Sequence, residues 1–448
     1  MPREFDGFAR NQPPMPLLIQ KFGGDALGDK GKGQAHSDND LTGPALHADK
    51  FRHVARIIAR TRQAGAHVVA VVSAMGDSTN RLIRMANALS PNPPAREMDM
   101  LMTTGEQVSI ALLAIALEAQ GISAVSFTGP QVGIRTDKMF GKSRIKEINC
   151  DKLMEAVQAG KVPIVAGFQG VTDDMEITTL GRGGSDISAV ALAAVLNADA
   201  CEFYKDVDGI YTTDPRICPS ARKIERISYD EMLELASLGA GVLHSRSVEF
   251  AKNYSVPLHV RSFLHDQPGT FVISEDKNME DVVVAGVAFN RDEAQITIKG
   301  VPDQPGTAAR VFSRLGQEDI IVDMIIQNDP EGGRNNISFT VGKNDIKRAQ
   351  AACEALRAEL GAESVKCDDA IAKVSAVGVG MRSHSNVASK MFQALAAANI
   401  NIRMISTSEI KISVVIDEKD MAEAVRAVHR CFEDQTEFPL RRMEAKLA

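Results

Sequence analysis

Short apolar runs alternate with amphipathic stretches from residue 16 to about residue 265. HVVAVVSAM (67–75), SAVSFT (123–128), VPIVAGF (162–168), CEFYKDV (201–207) and VPLHVRSF (256–263) are brief and apolar, and read as strands. Segments 50–64, 104–120, 151–160, 185–198 and 229–238 carry helical spacing instead; Phe51, Val54, Ile57 and Ile58 recur three and four residues apart, on one face. This alternation predicts an α/β sandwich around a mostly parallel sheet. Ligands in such folds sit at the carboxyl ends of strands. The run PLLIQ delivers Lys21, Phe22, Gly23 and Gly24 to that place.

Residues 29–49 are polar, Gly-rich and aperiodic, which reads as a surface loop or a lid over the neighbouring site. The first domain is expected over 16–265 and a linker over 266–281. Beyond the linker, PGTAARVFSRLGQEDIIVDMI (305–325) aligns with SNVASKMFQALAAANINIRMI (385–405) at an offset of 80 residues. Phe312 and Phe392, Leu315 and Leu395, Ile320 and Ile400, and Met324 and Met404 coincide. Each copy reads as a small ferredoxin-like βαββαβ unit, the first over 282–358 and the second over 371–442. Units this small pack on each other or on a second subunit.

At 448 residues the chain has room for two or three domains, and its formal charge of −7 with no basic tail argues against nucleic acid as a partner. No apolar run is seen to reach the roughly 18 residues that span a bilayer, and MPREFDGFARNQPPMP lacks the apolar core of a signal peptide. No membrane association and a cytoplasmic location are therefore expected. The six cysteines show no CxxC spacing and the nine histidines no HxxxH pattern, so reduced thiols and no built-in metal site are expected.

Glycine loops carry the chemistry. Lys21-Phe22-Gly23-Gly24 and GRGGSD (181–186), which runs into the helix DISAVALAAVL, both suit an anion. GKS (141–143) is not a P-loop, because Thr136 stands where its first glycine belongs, and Asp186 stands where a dinucleotide fingerprint needs its third. TTGEQ (103–107) is expected to place Glu106 in a helix's first turn, where an acid complements the dipole. In YKDVDGIYTTDPR (204–216), Asp214-Pro215 reads as a turn, while Lys205, Asp206 and Arg216 could frame a nucleotide.

Together these stretches resemble the amino-acid kinase family, and within it the aspartate kinases. KFGG, VVSAMG (71–76), TTGEQ, FTGPQVGI (127–134), VAGFQG (165–170), TTLGRGGSD (178–186), DVDGIYTTDPR (206–216) and EMLELASLGA (231–240) match motifs of that family. VPDQPG (301–306), DMIIQN (323–328) and ISTSEIKISVVI (405–416) resemble its paired ACT regulatory domains. The resemblance implies an amino-acid-kinase-type α/β sandwich followed by two ACT domains. It implies transfer of the γ-phosphoryl group of ATP, with Mg²⁺, to the β-carboxylate of L-aspartate, under feedback by lysine, threonine or both. That carboxylate is ionised at neutral pH, so no general base is required; positioning and neutralisation of phosphate charge remain.

By resemblance Lys21 stabilises the transferring phosphoryl group and Asp186 orients the cations around it. Glu106 holds the substrate ammonium and Arg182 its α-carboxylate, with Ser73, Thr79, Gly183, Gly184 and Ser185 lining the pocket. Lys21, Phe22, Gly23, Gly24, Lys205, Asp206, Tyr211, Asp214 and Arg216 surround the nucleotide. Asp303, Gly306, Ala308, Gln327, Asn401 and Ile402 line an effector site. A homo-oligomer through the ACT domains is implied, and in some relatives a separate ACT-only subunit. The chain departs from the family pattern at Asp25-Ala26, where Thr-Ser is usual, at Lys205, at Gly241 in GAGVLHSR and at His384-Ser385-Asn386. An acid facing ATP is unfavourable. The departures keep open a catalytically silent effector-binding subunit, and another kinase of the fold acting on glutamate or N-acetylglutamate.

Overall fold

The computed structural model describes residues 15–28, 44–239, 241–275, 282–328, 330–384 and 386–433. Most of the 29–49 insertion, the end of the expected linker and the last residues of the second expected ACT domain lie outside them. The chain forms two compact units; the second takes Tyr211–Lys223, Leu233–Gly241 and everything from Asp276 onward.

The first unit is built on an eight-stranded sheet, ordered Arg226–Ser228, Thr270–Ile273, Leu258–Ser262, Ala200–Lys205, Leu17–Phe22, His67–Val72, Val162–Ala166 and Ala124–Phe127. Only the pairing of Leu258–Ser262 with Thr270–Ile273 is antiparallel, as the strand–helix alternation predicts. Strands such as HVVAVV are buried on both faces, so they read as continuous apolar runs.

Leu17–Phe22 lies between two parallel neighbours, with Lys21 opposite Val71 and Phe203. Side chains alternate across a sheet. Phe22 faces the core formed with Phe51, Val54, Ile58, Ile110 and Leu113 from two helices, and Lys21 points to the other face. There the helix Gly184–Val195 is buried along most of its length, which explains why GSDISAVALAAV is apolar on every side beyond its first turn apart from Ser188. A small sheet of Ile145–Ile148, Ile134–Thr136, Gln169–Val171 and Ile177–Thr179 precedes that helix.

TTGEQ does not open a helix. It lies inside Ala95–Glu118, a 24-residue helix, so Glu106 is in mid-helix and is not a first-turn partner of the dipole. Thr103-Thr104 resemble capping residues in sequence, but their hydroxyls donate to the carbonyls of Met100 and Leu101 within the helix. This helix is long and apolar enough to cross a membrane by length and composition alone. Its apolar side instead enters the core through Ile110, Leu113 and Leu117, and it buries Asp99 and Glu106.

The second unit contains two four-stranded antiparallel sheets, each backed by two helices. One is ordered Val322–Gln327, Arg334–Gly342, Glu293–Pro302, Ser364–Asp368; the other Gly286–Asn290, Ile371–Val377, Lys411–Asp417, Met404–Thr407. Division into 282–358 and 371–442 differs from this pairing at the edges. Gly286–Asn290 belongs to the second sheet, where Asn290 opposes Lys373, and Ser364–Asp368 completes the first. Each sheet needs a fourth strand beside its first, and the upstream VAFN run fills that edge in the second. The repeat covers only helix–strand–strand, so it carried no signal of the exchange.

Met324 of the first sheet and Ile371, Met404 and Val415 of the second form a shared apolar cluster. Beside it the buried Lys373 ammonium is held by the carboxylates of Glu293 and Asp323. Burial alone would lower the Lys373 pKa, but the two acids outweigh it and hold it above the usual lysine range.

Candidate active site

Lys21 stands near the carboxyl end of the strand Leu17–Phe22, and Asp186 in the first turn of the helix Gly184–Val195 that GRGG opens. Lys21 Nζ lies 2.5 Å from Asp186 Oδ1, both side chains nearly inaccessible, while Lys205 Nζ reaches Asp186 Oδ2 at 3.4 Å. Burial alone would raise the Asp186 carboxyl; the Lys21 and Lys205 ammonium groups overcome it and hold the pKa at about 2. Burial also lowers the Lys205 ammonium, against the pull of Asp186. Two cations share one anion, so the cluster keeps a net positive charge for an anionic ligand.

The backbone around it is tightly folded. Gly24 O accepts from the N–H groups of Gly28 and Gly76, both at 2.9 Å. A Cβ on Gly24 would meet the Ala74 carbonyl oxygen at 2.7 Å, so KFGG and SAMG approach as only glycine allows. Across the site Ser73 and Ser185 join their hydroxyls at 2.8 Å. Gly183 caps the helix Gly184–Val195 in the left-handed region, at φ 74°, and gives the helix N-terminus to the site.

Glu106 reaches in from its long helix. Its Oε1 accepts the Ala74 N–H at 3.1 Å, and its Oε2 is buried without a hydrogen-bond partner among the described residues. Burial pushes this carboxyl up to about 7, against the Ala74 N–H and the Lys21 ammonium. A buried acceptor left open beside a cationic cluster is suited to a ligand's N–H groups.

The other expected residues divide by place. Arg182 is exposed, Thr79 is half-buried in the helix Ser78–Leu89, and Asp206 is exposed beyond the strand Ala200–Lys205. The Phe22 ring turns away from Lys21 and stacks on Tyr204 at 4.8 Å, so Phe22 offers this face only backbone. Tyr211, Asp214 and Arg216 fall in the second unit, where Asp214 accepts a forked pair of bonds from the Arg216 guanidinium at 3.0 and 2.7 Å. Asp303, Gly306 and Ala308 occupy the turn and first turn before and within the helix Thr307–Gln317, and Gln327 ends a neighbouring strand. Asn401 and Ile402 lie between the helix Val387–Ala397 and the strand Met404–Thr407 of the second four-stranded sheet.

Asp25 lies in the short helix Gly24–Leu27 and lines a hollow of about 430 Å³ together with Ala26, Lys50, His53 and Phe263. That wall includes neither Lys21 nor Asp186.

Two further residues, His244 and Asp99, join this region. A Cβ on Gly183 would fall 2.5 Å from Cγ of His244, so the imidazole lies flush against the glycine loop. Asp99 accepts backbone bonds from Gly141 and Thr179. Both lie in stretches with a readable signal: His244 inside GAGVLHSR, and Asp99 seven residues before Glu106.

The model of the amino acid kinase family matches residues 16–262, and that of an ACT domain matches 296–356 and 374–432. An aspartate kinase of Stutzerimonas stutzeri is 49% identical over 94% of this chain and 98% of its own. A crystal structure of aspartate kinase from Synechocystis, 43% identical, covers 93% of this chain and 69% of its own, with a TM-score of 0.51. E. coli aspartokinase III in complex with aspartate and ADP shares the fold at a TM-score of 0.74, with 24% identity over 93% of this chain and 99% of its own.

Proposed function

The chain belongs to the amino acid kinase family and is an aspartate kinase with ACT domains, and on that premise we propose how its residues divide the work. Lys21 meets the transferring phosphoryl group of ATP. Asp186 holds Lys21 and Lys205 in place without cancelling their combined charge. Glu106 receives the substrate ammonium through its open Oε2, and Arg182 takes the α-carboxylate as a bidentate fork. Ser73, Thr79, Gly183, Gly184 and Ser185 shape the pocket between these ends. The substrate β-carboxylate needs no deprotonation, so rate comes from alignment and charge neutralisation.

The observation that carries this reading is the Lys21–Asp186–Lys205 cluster facing a glycine-capped helix, with Glu106 Oε2 open beside it. Mg²⁺ enters as part of Mg·ATP: no group of three His, Cys, Asp or Glu suited to a metal occurs among the described residues, and both Asp186 oxygens are engaged by lysines. Asp206, just beyond Lys205, belongs to the nucleotide side. The hollow that Asp25 lines has neither Lys21 nor Asp186 in its wall, which favours turnover despite the departure at KFGG.

Feedback by lysine, threonine or both belongs to the ACT domains, through Asp303, Gly306, Ala308, Gln327, Asn401 and Ile402. Exposed Ile321, Ile325 and Ile405, at or beside the sheet-edge strands Val322–Gln327 and Met404–Thr407, suit pairing with a second copy in a homo-oligomer. A cytoplasmic location fits an enzyme that uses ATP and free amino acids.

Trapping the acyl phosphate with hydroxylamine tests the assignment. Hydroxamate forming with aspartate but not with glutamate or N-acetylglutamate, and falling when millimolar lysine or threonine is added, is the expected result. No hydroxamate with aspartate would leave an effector-binding role.

A further inference from the structure

We propose that Asp99 is a positioning residue for the amino-acid substrate: it fixes the loop that presents Arg182 at a set distance from Glu106. The inference rests on the roles proposed above for Arg182 and Glu106. Asp99 is wholly buried, and among the described residues no cation lies within ion-pair distance of it. Its four bonds come instead from two loops. Gly141 N–H donates to Oδ1 at 3.0 Å and to Oδ2 at 2.9 Å; Thr179 donates its N–H to Oδ2 at 2.9 Å and its hydroxyl to Oδ1 at 2.7 Å.

Both carboxylate oxygens are therefore acceptors. An amide in the same place would turn an NH₂ group toward N–H donors. Burying an acid away from any cation is costly unless such donors surround it, and this arrangement does more than fill space. Thr179 ends the strand Ile177–Thr179, two residues before Gly181 and three before Arg182. The Gly141 turn is the seat on which that loop rests. Ser143 N–H donates to the Thr179 carbonyl at 2.9 Å, and a Cβ on Gly181 would fall 2.9 Å from the Gly141 carbonyl oxygen. By joining Gly141 to Thr179, Asp99 holds loop and seat together.

Asp99 and Glu106 are seven residues apart on the helix Ala95–Glu118, about two turns, and so share one face. Between them the Thr103 carbonyl accepts a bond from the Gln169 amide at 2.7 Å, a third tie from the same helix to the site's loops. One rigid element thus carries the acceptor for the substrate ammonium and the anchor of the loop that bears the carboxylate's partner. The separation between the two ends of the bound amino acid is set along this helix.

Steady-state kinetics of the full chain, varying aspartate and ATP separately, test the inference in Asp99→Asn, Thr179→Val, Thr179→Ser and Arg182→Ala. The expected result is that Asp99→Asn raises KM for aspartate about tenfold or more while KM for ATP changes little. Thr179→Val moves it in the same direction by less, and Thr179→Ser, which keeps the hydroxyl, restores it. Equal changes in both KM values, or a fall in melting temperature with unchanged KM for aspartate, would overturn it. If Asp99→Asn does not fold, Thr179→Val decides by the same criterion. Arg182→Ala separates the two readings. A raised aspartate KM there with none in the Asp99 and Thr179 variants overturns the positioning role alone; none in Arg182→Ala overturns the substrate-site reading and the inference with it.

Discussion

Lys21 Nζ approaches Asp186 Oδ1 at 2.5 Å where neither side chain meets solvent to any extent, and Lys205 takes the other oxygen at 3.4 Å. An acid with one cation would be neutral and blind to phosphate. With two, it orients both and leaves a positive charge in a site of low dielectric, where that charge acts strongly.

Asp186→Asn is expected to lower kcat by about two to three orders of magnitude, with a smaller change in KM for ATP, as read by hydroxamate formation. The same carboxyl links stability to pH. Its folded-state pKa of about 2 lies below the ordinary 3.8, so its contribution is present above pH 3.8 and is lost as pH falls toward 2. Acid unfolding of the parent should show this loss and the Asn variant should lack it.

Glu106 titrates in the opposite sense. Burial lifts its pKa from the ordinary 4.5 to about 7. Only the ionised form pairs with a substrate ammonium, so kcat/KM for aspartate is expected to rise with pH through an apparent pKa near 7 in the free enzyme. Glu106→Gln should abolish that limb and raise KM for aspartate by about 10–100-fold. Because the raised pKa favours the folded state only while the proton is bound, the group's contribution is complete below 4.5 and lost as pH rises through about 7. A melting temperature at pH 8 that is higher in Glu106→Gln than in the parent would show it.

Gly183→Ala places a Cβ 2.5 Å from the His244 ring in a backbone at φ 74°. The expected loss in kcat/KM is about a hundredfold. Adding His244→Ala should recover part of it, because the clash is relieved while a left-handed strain of roughly 1–2 kcal/mol remains. Full recovery would mean the ring alone was at fault.

Much of this was legible in the sequence because the signals are local. KFGG ends an apolar run, GRGGSD runs into a helix that is largely apolar beyond its first turn, and the parallel sheet is written in strands such as HVVAVV. What escaped reading depends on contacts far apart in the chain. Glu106 looks like a first-turn acid until Ala95–Glu118 is seen as one helix. Asp99 gains meaning only when Gly141 and Thr179, 42 and 80 residues away, fold onto it. Gly286–Asn290 enters the second ACT sheet opposite Ile371–Val377, which neither the repeat nor its spacing encodes.

Lys373→Met tests the junction of the two ACT folds. It leaves Glu293 buried without its ammonium partner, and breaking such a pair costs about 3–5 kcal/mol. The denaturant midpoint of the C-terminal unit should fall accordingly. Glu293→Met added to it should restore much of the stability, since an apolar pair can replace a buried ionic one.

The most direct test of the account is the rate of acyl-phosphate formation in Lys21→Met, compared with the parent at saturating aspartate and Mg·ATP. A fall of about a thousandfold in kcat, with nucleotide binding retained, is the predicted result. A variant that turns over within about tenfold of the parent, roughly 1.4 kcal/mol of barrier, would contradict a phosphoryl-stabilising role for the Lys21–Asp186 pair.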